Sequence, residues 1–251
     1  MNDSVIIPAM RRRPADGLDQ VIAAAVRVFG DKGYRRTQMA DVARELGVAP
    51  GTLYGYVAGK EALFHLVIDR AFADGAKPPP ALPVTAPAPG TTLVRLRERL
   101  TADAAIPALD AALRRRSPDD ALAELERIVS ELYDRIAGAW PGIVILERSA
   151  LEWPELAHVF YGEVRRGLLA RLERYLRARM EAGRLRPAPT TMGAALFILE
   201  TIAWFAMHRH RHTGGADVDD ATARRTTVAL LVNAFAPVAR QRRTARKESR
   251  R

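Results

Sequence analysis

Two short apolar stripes separated by one glycine constrain this chain more than any other feature. Met39, Val42, Ala43 and Leu46 recur at three- and four-residue steps, and Gly47 follows where a left-handed turn is easiest without a Cβ. Val48 points back toward a core. Pro50 then suits the first turn of a new helix, where its missing N–H would have no partner anyway, with Leu53 and Val57 as buried contacts. The spacing predicts two short helices sharing one tight turn, with Thr37 capping the first. Gly55 inside the second costs roughly 0.5–1 kcal/mol relative to Ala and makes it the softest element. Upstream, Leu18, Val21, Ile22, Ala25, Val28 and Phe29 form one face of a helix that Gly33 stops. Downstream, a fourth helix opens near Gly59-Lys60 and carries Leu63, Phe64, Val67, Ile68, Ala71 and Phe72.

Composition changes at Lys77-Pro78-Pro79-Pro80 and stays rich in Pro, Ala and Thr through Gly90, as expected of an extended connection. Beyond it come longer helical patterns: Leu93, Leu96 and Leu100, a helix from about Asp119 to Ala137, and a long segment from about Glu155 to Ala182 that Gly183 ends. Pro187 and Pro189 separate this from Met192 to about His210, which is hydrophobic nearly all round. A last helix carries Ala221, Val228, Leu231, Val232 and Phe235. No alternating strand pattern is sustained, so the fold class is all-α. The expected divisions are a basic arm over 1–15, a small helical domain over 16–76, a Pro-rich connection over 77–91, a larger helical domain over 92–238 and a basic tail over 239–251.

The pattern Thr37-x-x-x-Asp41-Val42-Ala43-x-x-x-Gly47-Val48-x-x-Gly51-Thr52-Leu53-Tyr54-x-Tyr56-Val57-x-x-Lys60-Glu61-Ala62-Leu63-Phe64 resembles the tetracycline-repressor (TetR) family of bacterial transcriptional regulators. The likeness covers about residues 15–75. It implies a three-helix DNA-binding domain with a helix-turn-helix at about 38–57, joined by the fourth helix to a larger helical ligand-binding and dimerisation domain. Base and phosphate contacts would fall on Thr37, Gln38, Pro50, Gly51, Thr52, Tyr54, Tyr56 and Lys60. Hydroxyls and an ammonium suit phosphate oxygens, and a glycine lets backbone approach closely. Each has a plainer reading: Thr37 as a cap alone, Tyr54 as a cover for the core, Lys60 as a solvated charge, Gly51 as an ordinary surface glycine. Ala49 stands where the family often has a Ser or another capping residue.

In the family the last two helices pair with their copies in a four-helix bundle, which would place Leu196, Leu199, Ile202, Ala203, Val228, Leu231 and Phe235 at a homodimer interface. A monomer burying these side chains within itself is the other reading. A dimer would read a pseudo-palindromic operator in double-stranded DNA, with half-sites about 34–36 Å apart. The resemblance further implies repression relieved by a small-molecule effector. Tyr133, Trp140, Trp153, Phe160, Tyr161 and Trp204 are candidates for an apolar ligand pocket, with Glu200 as its polar group. Against this, aromatic residues at helical spacing usually belong to cores, and Glu200 can pair with an Arg in the bundle. His208 and His212 lie at metal-binding spacing, although a solvated helix end explains them as well. No cofactor and no metal are expected.

Net charge is +10 over 251 residues, but its placement is uneven. Arg240–Arg251 holds seven Lys or Arg against Glu248, and residues 1–15 add +2, whereas 16–76 carries seven basic against eight acidic residues. A helix-turn-helix in this setting owes affinity to local placement of Arg35, Arg36, Arg44 and Lys60. The basic ends read either as solvated tails or as non-specific arms on phosphates. A basic architectural protein coating DNA without sequence preference is therefore a second class of function.

Enzyme chemistry lacks its parts. There is no Cys, the five serines sit in no Gly-x-Ser-x-Gly setting, and there is neither a phosphate-binding Gly-rich loop nor an H-E-x-x-H pair. Glu147, Glu152 and Glu155 leave a helical hydrolase as the remaining alternative, although surface carboxylates explain them. Met192 to Met207 is shorter than the ~18 residues of a membrane span and is interrupted by Glu200, so no membrane partner is expected. The N-terminal apolar stretch precedes its arginines, unlike a secretory signal, and a cytoplasmic location is expected.

Overall fold

The computed structural model describes residues 15–72, 78, 80–88, 90–115, 120–211 and 217–237. Both Arg-rich ends, and His212 of the expected histidine pair, lie outside the described residues. All the main elements are helices. The only β feature among the described residues is an isolated bridge between Val57 and Val84.

The helix α1 (Ala15–Arg36) buries the face expected of it, but Gly33 interrupts the helix without ending it. Gly33 sits at φ 76°, ψ 173°, a conformation that L side chains rarely adopt, and helical geometry resumes to Arg36. The break moves the next cap by one residue. Thr37 is buried, its Oγ1 donating to the Gly33 carbonyl oxygen at 2.7 Å, so it does not cap α2 (Met39–Leu46). Gln38 takes the cap position in extended conformation, and its N–H donates to the Asp41 carboxylate at 3.0 Å. Lys32 holds the Asp41 carboxyl below its usual range, first through a side-chain hydrogen bond. Gly47 is left-handed at φ 74°, as the sequence requires.

One turn of α-helix, α3 (Pro50–Leu53), follows, continued as a hydrogen-bonded turn in which the Tyr56 and Val57 N–H groups both donate to the Leu53 carbonyl oxygen. The early end of α3 agrees with the low helix propensity of Gly55. Next comes α4 (Lys60–Ala71). Val84, within the Pro-rich connection, docks on the turn after α3: its N–H donates to the Tyr56 carbonyl oxygen and the Ala58 N–H donates to that of Val84, both at 2.8 Å.

Seven further helices make the rest: α5 (Thr92–Asp103), α6 (Pro107–Arg114), α7 (Ala121–Ala150), α8 (Pro154–Ala157), α9 (Arg166–Glu181), α10 (Thr191–Ala206) and α11 (Asp220–Ala234). A π-helical segment, His158–Arg165, fuses α8 to α9, matching the single long segment expected there. The helix expected to stop at Ala137 instead runs to Ala150 through Pro141. Pro141 removes a backbone donor, which packing against α1, α4, α10 and α11 offsets. Gly142 makes the close crossing with α4 possible, since a Cβ there would come within 2.5 Å of the Phe72 ring.

Two cores result. The first joins Phe29, Leu53, Leu63 and Phe64 to Leu96, Ile145 and Leu146, so apolar packing is continuous across the Pro-rich connection. The second gathers Leu109, Ile128, Leu172, Tyr175, Ile198 and Leu231. It encloses a buried ion pair in which Arg179 Nε donates to Glu124 Oε2 at 2.8 Å while its Nη2 donates to the Ala112 and Arg115 carbonyl oxygens.

Candidate functional site

The turn at Gly47 presents the N-terminal end of α3 to solvent. Gln38, Pro50, Gly51 and Tyr54 are exposed there, Tyr54 at 52%, and Thr52 is half-buried. A Cβ added to Gly51 would meet no atom within 4 Å, so internal packing does not require a glycine at this position. Three expected contacts face elsewhere. Thr37 is buried against Gly33, and Tyr56 is 8% exposed, its hydroxyl lying where a Cβ on Gly17 of α1 would stand. Tyr56 is therefore a core side chain: α3 ends at Leu53, and the turn that follows carries Tyr56 under the domain. Lys60 donates to the Arg35 carbonyl oxygen at 3.2 Å and lies 4.7 Å from the centre of the Tyr34 ring. Partial burial lowers the pKa of its ammonium.

This surface is joined to the rest of the chain through the end of α7. Arg148 Nε donates to the Asp31 carbonyl oxygen at 2.7 Å, and the Tyr34 N–H donates to Ser149 Oγ at 3.0 Å. Arg36 pairs with Glu152, and Tyr34 stacks on Trp153 with ring centres 5.3 Å apart. These contacts hold the residues immediately before α2. Tyr34 also packs on Phe64 of α4, and His65 of α4 is hydrogen-bonded to Thr92 of α5 at 3.0 Å. Burial lowers the pKa of His65.

A cavity of about 1010 Å³ lies beyond this joint, bounded by the end of α4 and by α5, α6, α7, the π-helical segment, α9 and α10. Its apolar wall includes Phe72, Leu100, Ile136, Ile143, Phe160 and Leu199. Of the residues expected in a pocket, Phe160 and Glu200 line it, and Glu200 pairs with Arg165. The other five do not. Tyr133 is buried, its hydroxyl donating to the Phe205 carbonyl oxygen, and Trp140 stacks on His210. Trp153 belongs to the joint with α1, while Tyr161 and Trp204 are exposed. Aromatic size recruits side chains into cores and joints wherever the helices meet, so it does not mark a cavity.

Arg165 and Glu147, the latter expected only as a carboxylate of the hydrolase alternative, also line the cavity. With α7 running through Pro141, Ile136, Ala139, Ile143 and Glu147 fall on one helix face. Burial, followed by repulsion from Glu200, pushes the Glu147 carboxyl up to about 7.

The expected dimer residues also need correction. Leu199, Ile202, Ala203, Val228, Leu231 and Phe235 are buried within the single chain, and Leu196 packs partly buried against the second core. An all-round apolar helix does not reveal which side faces inward. The large exposed apolar side chains of α10 and α11 are Met192 (37%), Phe197 (53%), Trp204 (43%) and Leu230 (64%).

Comparison with known proteins gives two family matches: residues 21–67 to "Bacterial regulatory proteins, tetR family", and residues 144–238 to "AefR-like transcriptional repressor, C-terminal domain". The chain is 40% identical over 63 residues to the HTH-type transcriptional repressor DrrR1 of Streptomyces coeruleorubidus, covering 25% of this chain and 23% of that protein. It is 45% identical over 42 residues to the Fatty acid metabolism regulator protein of Bacillus subtilis (strain 168), covering 17% and 22%. The chain thus matches less than a quarter of the length of these curated relatives. Among solved structures, the ketosteroid transcriptional regulator KstR2 of Mycobacterium tuberculosis aligns over 89% of this chain and 97% of its own, with a TM-score of 0.51 and 16% identity. A tetR-family regulatory protein from Rhodococcus RHA1 aligns over 90% and 100%, with a TM-score of 0.50 and 20% identity. Both show a shared fold. With one family match spanning α2, α3 and their flanking helices and the other running from α7 past α11, this chain belongs to the tetR family of bacterial regulatory proteins.

Proposed function

We propose that this chain is a sequence-specific DNA-binding repressor, acting as a homodimer on a pseudo-palindromic operator and released when a small molecule occupies the cavity. The observation that carries this reading is the register of α7. Glu147 lines the cavity, while the next two residues, Arg148 and Ser149, hydrogen-bond to Asp31 and Tyr34 just ahead of α2. A ligand that shifts α7 thereby shifts the helix-turn-helix. Such coupling requires unequal ligand affinity for the DNA-bound and released states.

The DNA-facing set in this reading is Gln38, Pro50, Gly51, Thr52 and Tyr54, with hydroxyls directed at phosphates and the open backbone of Gly51 allowing close approach. Thr37 and Lys60 act behind it by fixing the turn before α2. Homodimerisation through Phe197, Trp204 and Leu230 is supported by their exposure on adjacent helices. The family is one of regulators, and the reading is non-enzymatic. No helix among the described residues is long and apolar enough to cross a membrane, and we assign the protein to the cytoplasm.

The test is selection of duplexes by the purified protein, followed by competition against random DNA. A selected palindrome bound at least a hundredfold more tightly than random sequence supports the reading. Equal affinity for all duplexes would instead favour the architectural coating function.

A further inference from the structure

Four of the six carboxylates lining the cavity form ion pairs. Asp103 pairs with Arg99, Glu131 with Arg135, Asp134 with Arg224 and Glu200 with Arg165. Glu126 and Arg127 also line the cavity and are exposed to solvent. Glu147 is left facing the cavity from α7 with neither a hydrogen bond nor an ion pair among the described residues. The two arginines that influence it, Arg165 and Arg211, are already engaged by Glu200 and Asp31. An ionised carboxylate in a largely apolar enclosure is costly without a counter-charge. The enclosure nonetheless is of a size for a drug-sized molecule.

We propose that this cavity takes an amphipathic organic cation, with an apolar body lying against Phe72, Ile143 and Phe160 and its positive group received by the Glu147 carboxylate. This rests on the reading of the cavity as the effector site and adds the chemical class of the effector. An anion is disfavoured, because Glu147 and Glu200 both face the space it would fill and Arg165 is neutralised by Glu200. A cation gives Glu147 an ion-pair partner, and a charge pair at a half-buried carboxylate is stronger than one in bulk water. Burial and then repulsion from Glu200 raise the Glu147 carboxyl to about 7, and a bound cation would offset both. Because Glu147 adjoins Arg148 and Ser149, drawing its carboxylate toward a ligand acts directly on the joint with α1.

The experiment uses the full-length protein and two ions of matched shape, tetraphenylphosphonium and tetraphenylborate, titrated calorimetrically. The chain carries net charge +10, so attraction by overall charge favours the borate. The expected result is phosphonium binding at least tenfold tighter than borate. That preference falls to within threefold in Glu147→Gln, persists in Glu147→Asp, and binding of both ions is lost in Ala203→Trp, which fills the cavity wall. Equal affinities, a borate preference, or a phosphonium preference unchanged in Glu147→Gln would overturn the assignment. The effector reading fails separately. Phosphonium that binds through Glu147 yet leaves affinity for the selected duplex unchanged supports the ligand class and sinks the effector role. A neutral or anionic compound that releases the duplex, with no phosphonium binding, does the reverse.

Discussion

Gly33 of α1 meets the backbone of α7 so closely that a Cβ on it would stand 3.0 Å from the Arg148 carbonyl oxygen. Two constraints coincide there, since the residue also sits at φ 76°, ψ 173°. Gly33→Ala is expected to cost about 1–3 kcal/mol from the backbone conformation alone. Crowding against Arg148 adds to that and loosens the turn that Thr37 and Lys60 brace. Thermal unfolding checks the stability, and duplex binding below the new Tm is expected to weaken as well. A variant of unchanged stability would mean that α1 and α7 do not meet as described.

Gly51 is the counterpart. A Cβ there meets nothing within 4 Å, and Ala is the better helix former by about 0.8–1 kcal/mol. Gly51→Ala is expected to keep or slightly raise the Tm while weakening the selected duplex at least tenfold, because the added methyl would occupy the approach proposed for the DNA. Binding equal to that of the parent would make Gly51 an ordinary surface glycine.

These two glycines show what was legible in the sequence. Gly33, Gly47 and the apolar stripes around them specify local geometry, and local geometry follows from spacing; the helix-turn-helix was readable for that reason. The inward turn of Tyr56 was not, because it depends on where the one-turn α3 stops. Pro141 hid more. A proline in a helical pattern argues for a stop, and only tertiary packing against α4 and α1 carries α7 through to Glu147 and Ser149. Glu147 of the cavity wall and the joint with α1 both lie beyond that proline, so neither follows from a helix that stops there. On α10 the difficulty was the reverse: too many apolar residues on every face left the inward side undefined.

The Glu124–Arg179 pair is almost wholly excluded from water, with both side chains 4% exposed. Arg179→Met strands a carboxylate in the second core, and is expected to cost about 3–5 kcal/mol. That corresponds to a fall in Tm of roughly 10 °C. Adding Glu124→Leu removes the orphaned charge and is expected to recover most of the loss. Additive losses in the double variant would show that the two side chains do not act as a pair.

Phe197 and Trp204 lie outside the single chain's core, whereas Ile202 of the same helix is fully buried. In the proposed homodimer, Phe197→Glu with Trp204→Glu is therefore expected to weaken association roughly a hundredfold with little change in helical content. Ile202→Glu should instead unfold the chain. Sedimentation velocity separates the two, and a double variant that remains dimeric would move the interface to another face.

Glu147 gives a pH dependence with a definite sign. Its carboxyl titrates near 7 in the folded protein, raised first by burial and then by Glu200 against the opposing Arg165 and Arg211, but near 4.3 in an unfolded chain. Between those values the folded state holds the extra proton, so stability falls as pH rises and then levels off above about 7. Glu147→Gln cannot ionise and escapes this loss. The Tm of the variant is expected to lie close to that of the parent at pH 5 and to exceed it at pH 8, in the absence of ligand. Scanning calorimetry at both pH values, on protein free of bound cations, reads the gap directly. A gap of the same size at both would mean that Glu147 is already ionised at pH 5 and has a counter-charge in the empty cavity.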